Sequence, residues 1–136
     1  MPDRMSDEGE LVELRVDAAL TQLPLARAVA ANIAMRRDYD VDSIADLQLV
    51  VDETCTMLIS RALPFSELVL RFRTTPHGID IHCTVPVLDD TPLDKGSLGW
   101  SLLTALVESM RTEVSGGESF ARLAIELRMA RRSAAA

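Results

Sequence analysis

Aromatic residues are scarce in this chain: Trp100, Tyr39, Phe65, Phe72 and Phe120 are the only five among 136 residues. A core of this size must therefore be aliphatic, built from leucine, isoleucine, valine, alanine and methionine. Cysteine is nearly absent. Cys55 and Cys83 fit neither a disulfide scaffold nor, by their spacing, a zinc site. The expectation is two reduced core thiols in a reducing compartment. No apolar run approaches the roughly 20 residues that cross a bilayer. The acidic stretch Met1–Glu10 has no apolar h-region and does not read as a secretory signal. A cytoplasmic protein with no membrane partner is expected. Positive charge is also short: 14 Lys and Arg face 21 Asp and Glu, a net charge of −7. Phosphate contacts need clustered basic residues, so direct nucleic-acid binding is disfavoured. A basic protein surface is a better electrostatic match.

What is present is globular: 48% hydrophobic and 26% charged residues in a length that suits one domain. Residues 1–9 read as a flexible acidic tail, residues 10–129 as the single domain, and 130–136 as a second flexible tail. Alternation over 10–16 predicts a strand with one wet face. Thr21 offers a cap before Pro24, and Leu25, Ala28, Val29, Asn32 and Ile33 keep helical spacing to about Arg37. A second helix begins at Asp42 or Ser43, with Asp46 completing a weak capping box. Its apolar stripe is Ile44, Leu47, Val51, Cys55, Leu58 and Ala62, and Pro64 ends it. Residues 67–74 and 79–87 alternate as a hairpin about Thr75-Pro76-His77-Gly78, with Ile79, Ile81, Cys83, Val85 and Val87 sharing the core face. A polar connection, Asp89 to Gly96, leads into a third helix from about Leu98 to Met110. A last hairpin pairs 111–114 with 119–129 about Ser115-Gly116-Gly117-Glu118. The order β-α-α-β-β-α-β-β implies an α/β two-layer sandwich: a mixed, mostly antiparallel sheet with helices on one face.

Few residues suggest chemistry by themselves. Glu53 lies opposite the apolar stripe of the second helix with Asp46, Leu49, Met57 and Ser60. A carboxylate there can act as a general base if it reaches a proton, and the plain alternative is a solvated helix face. His77 and His82 have no ligand neighbours at metal spacing, and Ser97 and Ser101 have no evident base. Gly96-Ser97-Leu98-Gly99 before the third helix can cradle an anion or act as a loop hinge. Trp100 beside it fits core or interface. If Cys55 and Cys83 both face the core between the second helix and the sheet, they are close enough to pair as a regulatory disulfide, with inert buried thiols the ordinary outcome.

The element order and the run Leu49-Val50-Val51-Asp52-Glu53-Thr54-Cys55-Thr56 resemble the RsbW-type anti-sigma factors, which share the Bergerat fold of the histidine-kinase-like ATPases. The likeness spans residues 10–129, with Leu25-Ala26-Arg27 and Gly96 to Val107 as further matches. The resemblance implies a protein that sequesters an alternative, sigma-F-like sigma factor and is released by a STAS-type anti-anti-sigma protein. Arg27, with Leu25, falls on the partner-binding positions of the first helix. A homodimer is implied, with residues 10–16 as its seam. Active relatives are ATP-dependent serine protein kinases of that antagonist, and the kinase base falls on Glu53. Their nucleotide positions fall on Asp89, Gly96, Ser97 and Gly99.

Three departures bear on ATP. The family's Mg²⁺-holding asparagine is Met57, a soft thioether where a hard oxygen is needed. The Asp-x-Gly-x-Gly motif is replaced by Val87-Leu88-Asp89-Asp90-Thr91-Pro92, without glycine. The phosphate loop survives as Ser97-Leu98-Gly99, its first glycine now serine, after a shortened lid. No cofactor is therefore expected, and ATP with Mg²⁺ belongs to the alternative reading of an active serine kinase. A degenerate scaffold for some other partner is the third reading.

Overall fold

The computed structural model describes residues 9–117 and 119–131. Most of both expected tails, and Glu118 of the last turn, lie outside the described residues. Along the chain run β1 (Leu11–Asp17), a 3-10 turn (Leu20–Gln22), α1 (Leu23–Arg36), α2 (Val41–Ile59), β2 (Glu67–Thr75), β3 (Gly78–Val87), α3 (Leu98–Leu106), β4 (Ser109–Ser115) and β5 (Ala121–Ala130).

The five strands form one sheet in the order β1-β2-β3-β5-β4. The architecture is the expected two-layer α/β sandwich, with one correction. Every strand pairing is antiparallel rather than mixed. The reason is topological: β3, α3 and β4 form a crossover whose two strands run parallel, but β5 inserts between them and pairs antiparallel with both. The parallel relationship exists without a parallel ladder.

Alternation decides the faces. Ile79, Ile81, Cys83, Val85 and Val87 are all buried, as are Leu68, Leu70 and Phe72 of β2 and Leu123, Ile125 and Leu127 of β5. Leu47, Val50, Val51, Cys55 and Leu58 of α2 close on them from the helix layer. Phe72 is the one aromatic inside, so the core is aliphatic as the composition demands. The other sheet face is wet and carries ion pairs between neighbouring strands, the usual division for an antiparallel sheet with one packed face. There Arg71 Nε donates to Glu13 Oε1 at 2.8 Å, and Arg128 clasps Asp80 through two bonds of 2.6 and 3.0 Å.

Helix ends differ from the sequence reading for local reasons. Thr21 lies in the 3-10 turn and does not cap α1; Gln22 holds the cap position without a side-chain bond, and Pro24 pre-sets the first turn. For α2 the cap is Asp40, whose carboxylate accepts the Ser43 amide at 2.7 Å, so the helix starts at Val41. It ends at Ile59, because Ala62 bridges to Val87 instead of adding a turn. The third helix stops at Leu106, and Met110 joins β4 because β5 offers that segment a ladder. Strand β5 runs through Ala130, and the Arg131 amide donates to the His77 carbonyl at 2.7 Å. Among the described residues no helix is long and apolar enough to cross a membrane.

Candidate functional site

Helix α1 buries Ala26, Ala30, Ala31, Ile33 and Ala34. These mostly small side chains let α1 and α2 approach closely. Leu25 and Arg27 stand one position either side of Ala26, each about 100° from it around the helix. They therefore flank the buried stripe on opposite sides. Leu25 is exposed. Arg27 turns to α2, where its Nη1 donates to Asp52 Oδ1 at 2.6 Å, and the Arg27 carbonyl accepts a long bond from Gln48 Nε2 at 3.5 Å. The two ionic side chains are 37% and 35% exposed. A pair this wet contributes roughly 0.2–1 kcal/mol. Its consequence is positional: the guanidinium is held along the α1–α2 groove, with most of its five donors uncommitted.

The residue after Asp52 turns to a different neighbour. Glu53 faces the first turn of α3, and a Cβ built on Gly99 would overlap the Glu53 carboxylate. Ser97 caps that helix, its Oγ accepting the Trp100 amide at 3.1 Å. Glu53, Ser97 and Gly99 thus come together, a carboxylate set against a helix N-terminus where the helix dipole favours negative charge. Gly96 is next in the chain but exposed, its amide donating to Asp94 Oδ1 at 2.8 Å. Asp89 stands apart from this group. It accepts the Thr91 amide at 3.0 Å, and Arg61 lies 3.6 Å away while bonding the Thr91 carbonyl at 2.7 Å. The Thr91 hydrogen bonds, then the Arg61 charge, hold the Asp89 carboxyl below its ordinary value.

Mg-ATP does not fit these residues. Met57 supplies no oxygen, and it packs against the core cluster. The Glu53 carboxylate already lies on the first turn of α3, which is where a phosphate would seek the helix amides. Asp89 is committed to the turn that follows β3. Among the described residues, no group of three or more His, Cys, Asp or Glu is arranged to hold a metal ion. His82 Nε2 instead lies 3.6 Å from Glu126 on the wet sheet face. That face carries a concavity of about 700 Å³, lined by Arg71, Asp80, His82, Arg111 and Glu126 among others, and by none of the expected nucleotide residues.

Cys55 and Cys83 are both free and buried. They meet across the α2–β3 contact, and the hydrogen bond between the two thiols, followed by burial, pushes the Cys83 thiol well above its ordinary value. Asp52 and Arg61 were not singled out from the sequence. Their partners lie 25 and about 30 positions away in the chain, and no local pattern announces such a pairing.

Comparison with known proteins adds a family. The chain is 39% identical over 103 residues to the anti-sigma-F factor RsbW of Mycobacterium tuberculosis, in two strains, covering 74% of this chain and 60% of each relative. The chain thus spans about three-fifths of the length of the curated relatives it matches. A crystal structure of the RsbU and RsbW domains of a Mycobacterium tuberculosis protein superposes with a TM-score of 0.58 at 14% identity, over 91% of this chain and 34% of that one. That likeness speaks for the fold. No protein-family model matches the chain.

Proposed function

Because the chain belongs to the RsbW-type anti-sigma family, we propose that it is a stoichiometric anti-sigma factor that sequesters a sigma-F-like sigma factor. A STAS-type anti-anti-sigma protein then competes for the same patch and frees the sigma factor. The observation that carries the reading is the 39% identity over 103 residues to proteins named as anti-sigma-F factors. The groove-held Arg27 supports it: a guanidinium with free donors, fixed on one helix rim, makes bidentate pairs with partner carboxylates and suits an interface anchor. Leu25, on the other rim of α1, adds apolar contact.

The function is binding alone, with Glu53 a vestige of the phosphotransfer base. Supporting this are Met57 in the metal-ligand position and the Glu53 carboxylate on the first turn of α3. The protein works as a homodimer, for which β1 supplies a strand at the sheet edge whose outer backbone groups can pair with a second copy. Its place of action is the cytoplasm, where sigma factors meet polymerase.

The deciding experiment is capture of purified sigma-F-type factor by the wild type and by Arg27→Glu. Capture by the wild type, reduced at least tenfold in the variant, supports the reading; equal capture refutes the α1 interface, and none by the wild type refutes the anti-sigma role. Calorimetric titration with Mg-ATP tests the binding-only statement. Micromolar affinity followed by phosphate transfer to the antagonist would overturn it.

A further inference from the structure

Strand β1 is an edge of the sheet, and the parity of its hydrogen bonds says which of its backbone groups are spare. The Thr74 amide donates to the Glu10 carbonyl at 2.9 Å, and the Ala18 amide donates to the Ser66 carbonyl at 2.9 Å. Even-numbered residues thus bond to β2. By the period of two, Leu11, Glu13, Arg15 and Asp17 turn their N–H and C=O groups outward. Their side chains lie exposed on the wet face, while Val12, Leu14 and Val16 lie on the helix side, half-buried against the core. Among the described residues nothing pairs with this edge.

An open edge accepts many strands unless its side chains choose among them. A second copy brought up antiparallel about a two-fold axis has few registers to choose from, because opposite residues must share a face. Centred on Glu13, the pairing sets Glu13 against Glu13. Centred on Arg15, it sets Arg15 against Arg15 and Glu13 against Asp17. Like charges directly opposite destabilise a strand pair. Centred on Leu14, it sets each Glu13 against the second copy's Arg15, Val12 against Val16, and Leu14 against Leu14. That register also overlaps the whole strand, with about eight backbone hydrogen bonds where the two neighbouring registers keep about six. Registers centred further out shorten the overlap again. The seam itself is neutral on a chain of −7, with Arg15, Arg71 and Arg73 against Glu13, Asp17 and Glu67. The other edge, β4, has Thr112 where β1 has Leu14, so it offers less apolar surface for a second copy to cover.

We propose that β1 pairs with β1 of a second copy, antiparallel and centred on Leu14, and that Glu13 and Arg15 select this register and this partner. The inference deepens the homodimer reading and rests on it. The two sheets join into one continuous sheet, and Leu14 with its counterpart closes the open side of the core. Within one chain Arg15 already holds Glu13 at 2.6 Å, and Arg71 holds it at 2.8 Å. In the dimer the two Glu13–Arg15 couples face each other head to tail and form one network. A strand without that order of acid and base gains no such network, so the edge does not pair indiscriminately.

The test is sedimentation equilibrium of the full chain with two charge reversals. Glu13→Arg and Arg15→Glu each set like charges opposite one another twice, and each should raise the dimer dissociation constant at least tenfold. Mixed in equal amounts, the two variants set acid against base at both places, and a one-to-one heterodimer should form. A second set of variants reads the register without touching the charges. Leu14→Cys should cross-link to itself under a mild thiol oxidant, since opposite residues of a non-hydrogen-bonded pair lie about 4.5 Å apart, within disulfide reach. Val12→Cys should not cross-link to itself but should do so to Val16→Cys. Should a reversal unfold the chain, the cross-links alone decide. Folded variants that form no heterodimer, or Leu14→Cys chains that do not cross-link, overturn the register. A wild type that stays monomeric removes the homodimer as well, whereas a wild-type dimer indifferent to both reversals keeps the homodimer and places it on another surface. Sigma-factor capture by the wild type is read separately, so the anti-sigma role stands or falls on its own.

Discussion

Gly99 packs so closely on Glu53 that a Cβ added there would meet the Glu53 carboxylate unless it moved. The two residues are 46 positions apart in the chain, and the contact joins α2 to the start of α3. Gly99→Ala must swing the Glu53 carboxylate aside, and because that carboxylate ends a flexible, half-buried side chain the cost is a rotamer adjustment of about 1 kcal/mol. In a Glu53→Ala background the same change should cost nothing or stabilise slightly, because alanine is the better helix former by up to about 1 kcal/mol. Urea unfolding of the four variants gives the coupling directly, and a coupling near zero would show that the contact is slack.

The contact also shows what was legible in the sequence. Glu53 and Gly99 were both named from their motifs, and period-two alternation placed Ile79 to Val87 on the core face without ambiguity. The helix ends were harder. Asp40 outcompeted Ser43 as the α2 cap because its carboxylate reaches the Ser43 amide, a choice among adjacent polar residues that spacing does not make. Met110 kept helical spacing yet entered β4, since pairing with Leu127 across β5 outweighs local propensity. The fully antiparallel sheet depended on where β5 inserted, and that is a long-range fact. The partner of Arg27 was equally out of reach, because an ion pair between two helices leaves no mark in either one.

Thr54 offers a stability test away from any proposed interface. It is fully buried on α2 and its hydroxyl has no hydrogen-bond partner. An unsatisfied buried polar group costs roughly 1–3 kcal/mol, and valine has nearly the same shape. Thr54→Val is therefore expected to raise stability by about 0.5–1.5 kcal/mol while leaving sigma-factor capture unchanged. A loss of stability in chemical denaturation would mean that the hydroxyl is satisfied in solution.

The wet sheet face predicts how acid acts. Hydrogen bonds from Arg15 first and Arg71 second hold the Glu13 carboxyl below its ordinary value of 4.5. A carboxyl with a depressed folded value contributes stability that is fully present above the unfolded value and is lost as pH falls through the folded one. The Glu13 contribution should therefore be complete at neutral pH and fade below about 4.5. Because the group lies on the wet sheet face, the effect should also shrink in high salt. Glu13→Gln should flatten the acid limb of the melting-temperature profile at low ionic strength, leaving neutral stability lower than wild type. Parallel acid limbs for the two proteins would rule out the Arg15–Glu13–Arg71 cluster as the source.

Cys55 and Cys83 lead to a kinetic expectation. The reactive species of a cysteine is its thiolate, and Cys83 is buried with its thiol pushed well above the ordinary range by Cys55 and by burial. Neither sulfur should react with a disulfide reagent in the native protein at pH 8 on the timescale of minutes, whereas both should react at once in denaturant. Labelling that does proceed should follow local opening of α2 from β3, so its rate should rise with urea well below the global unfolding midpoint. Cys83→Ala should leave a cavity and cost about 1–3 kcal/mol, by lost contacts at a fully buried site, and should speed labelling of Cys55. Rapid native labelling of either thiol would mean that the α2–β3 contact breathes far more than its packing suggests.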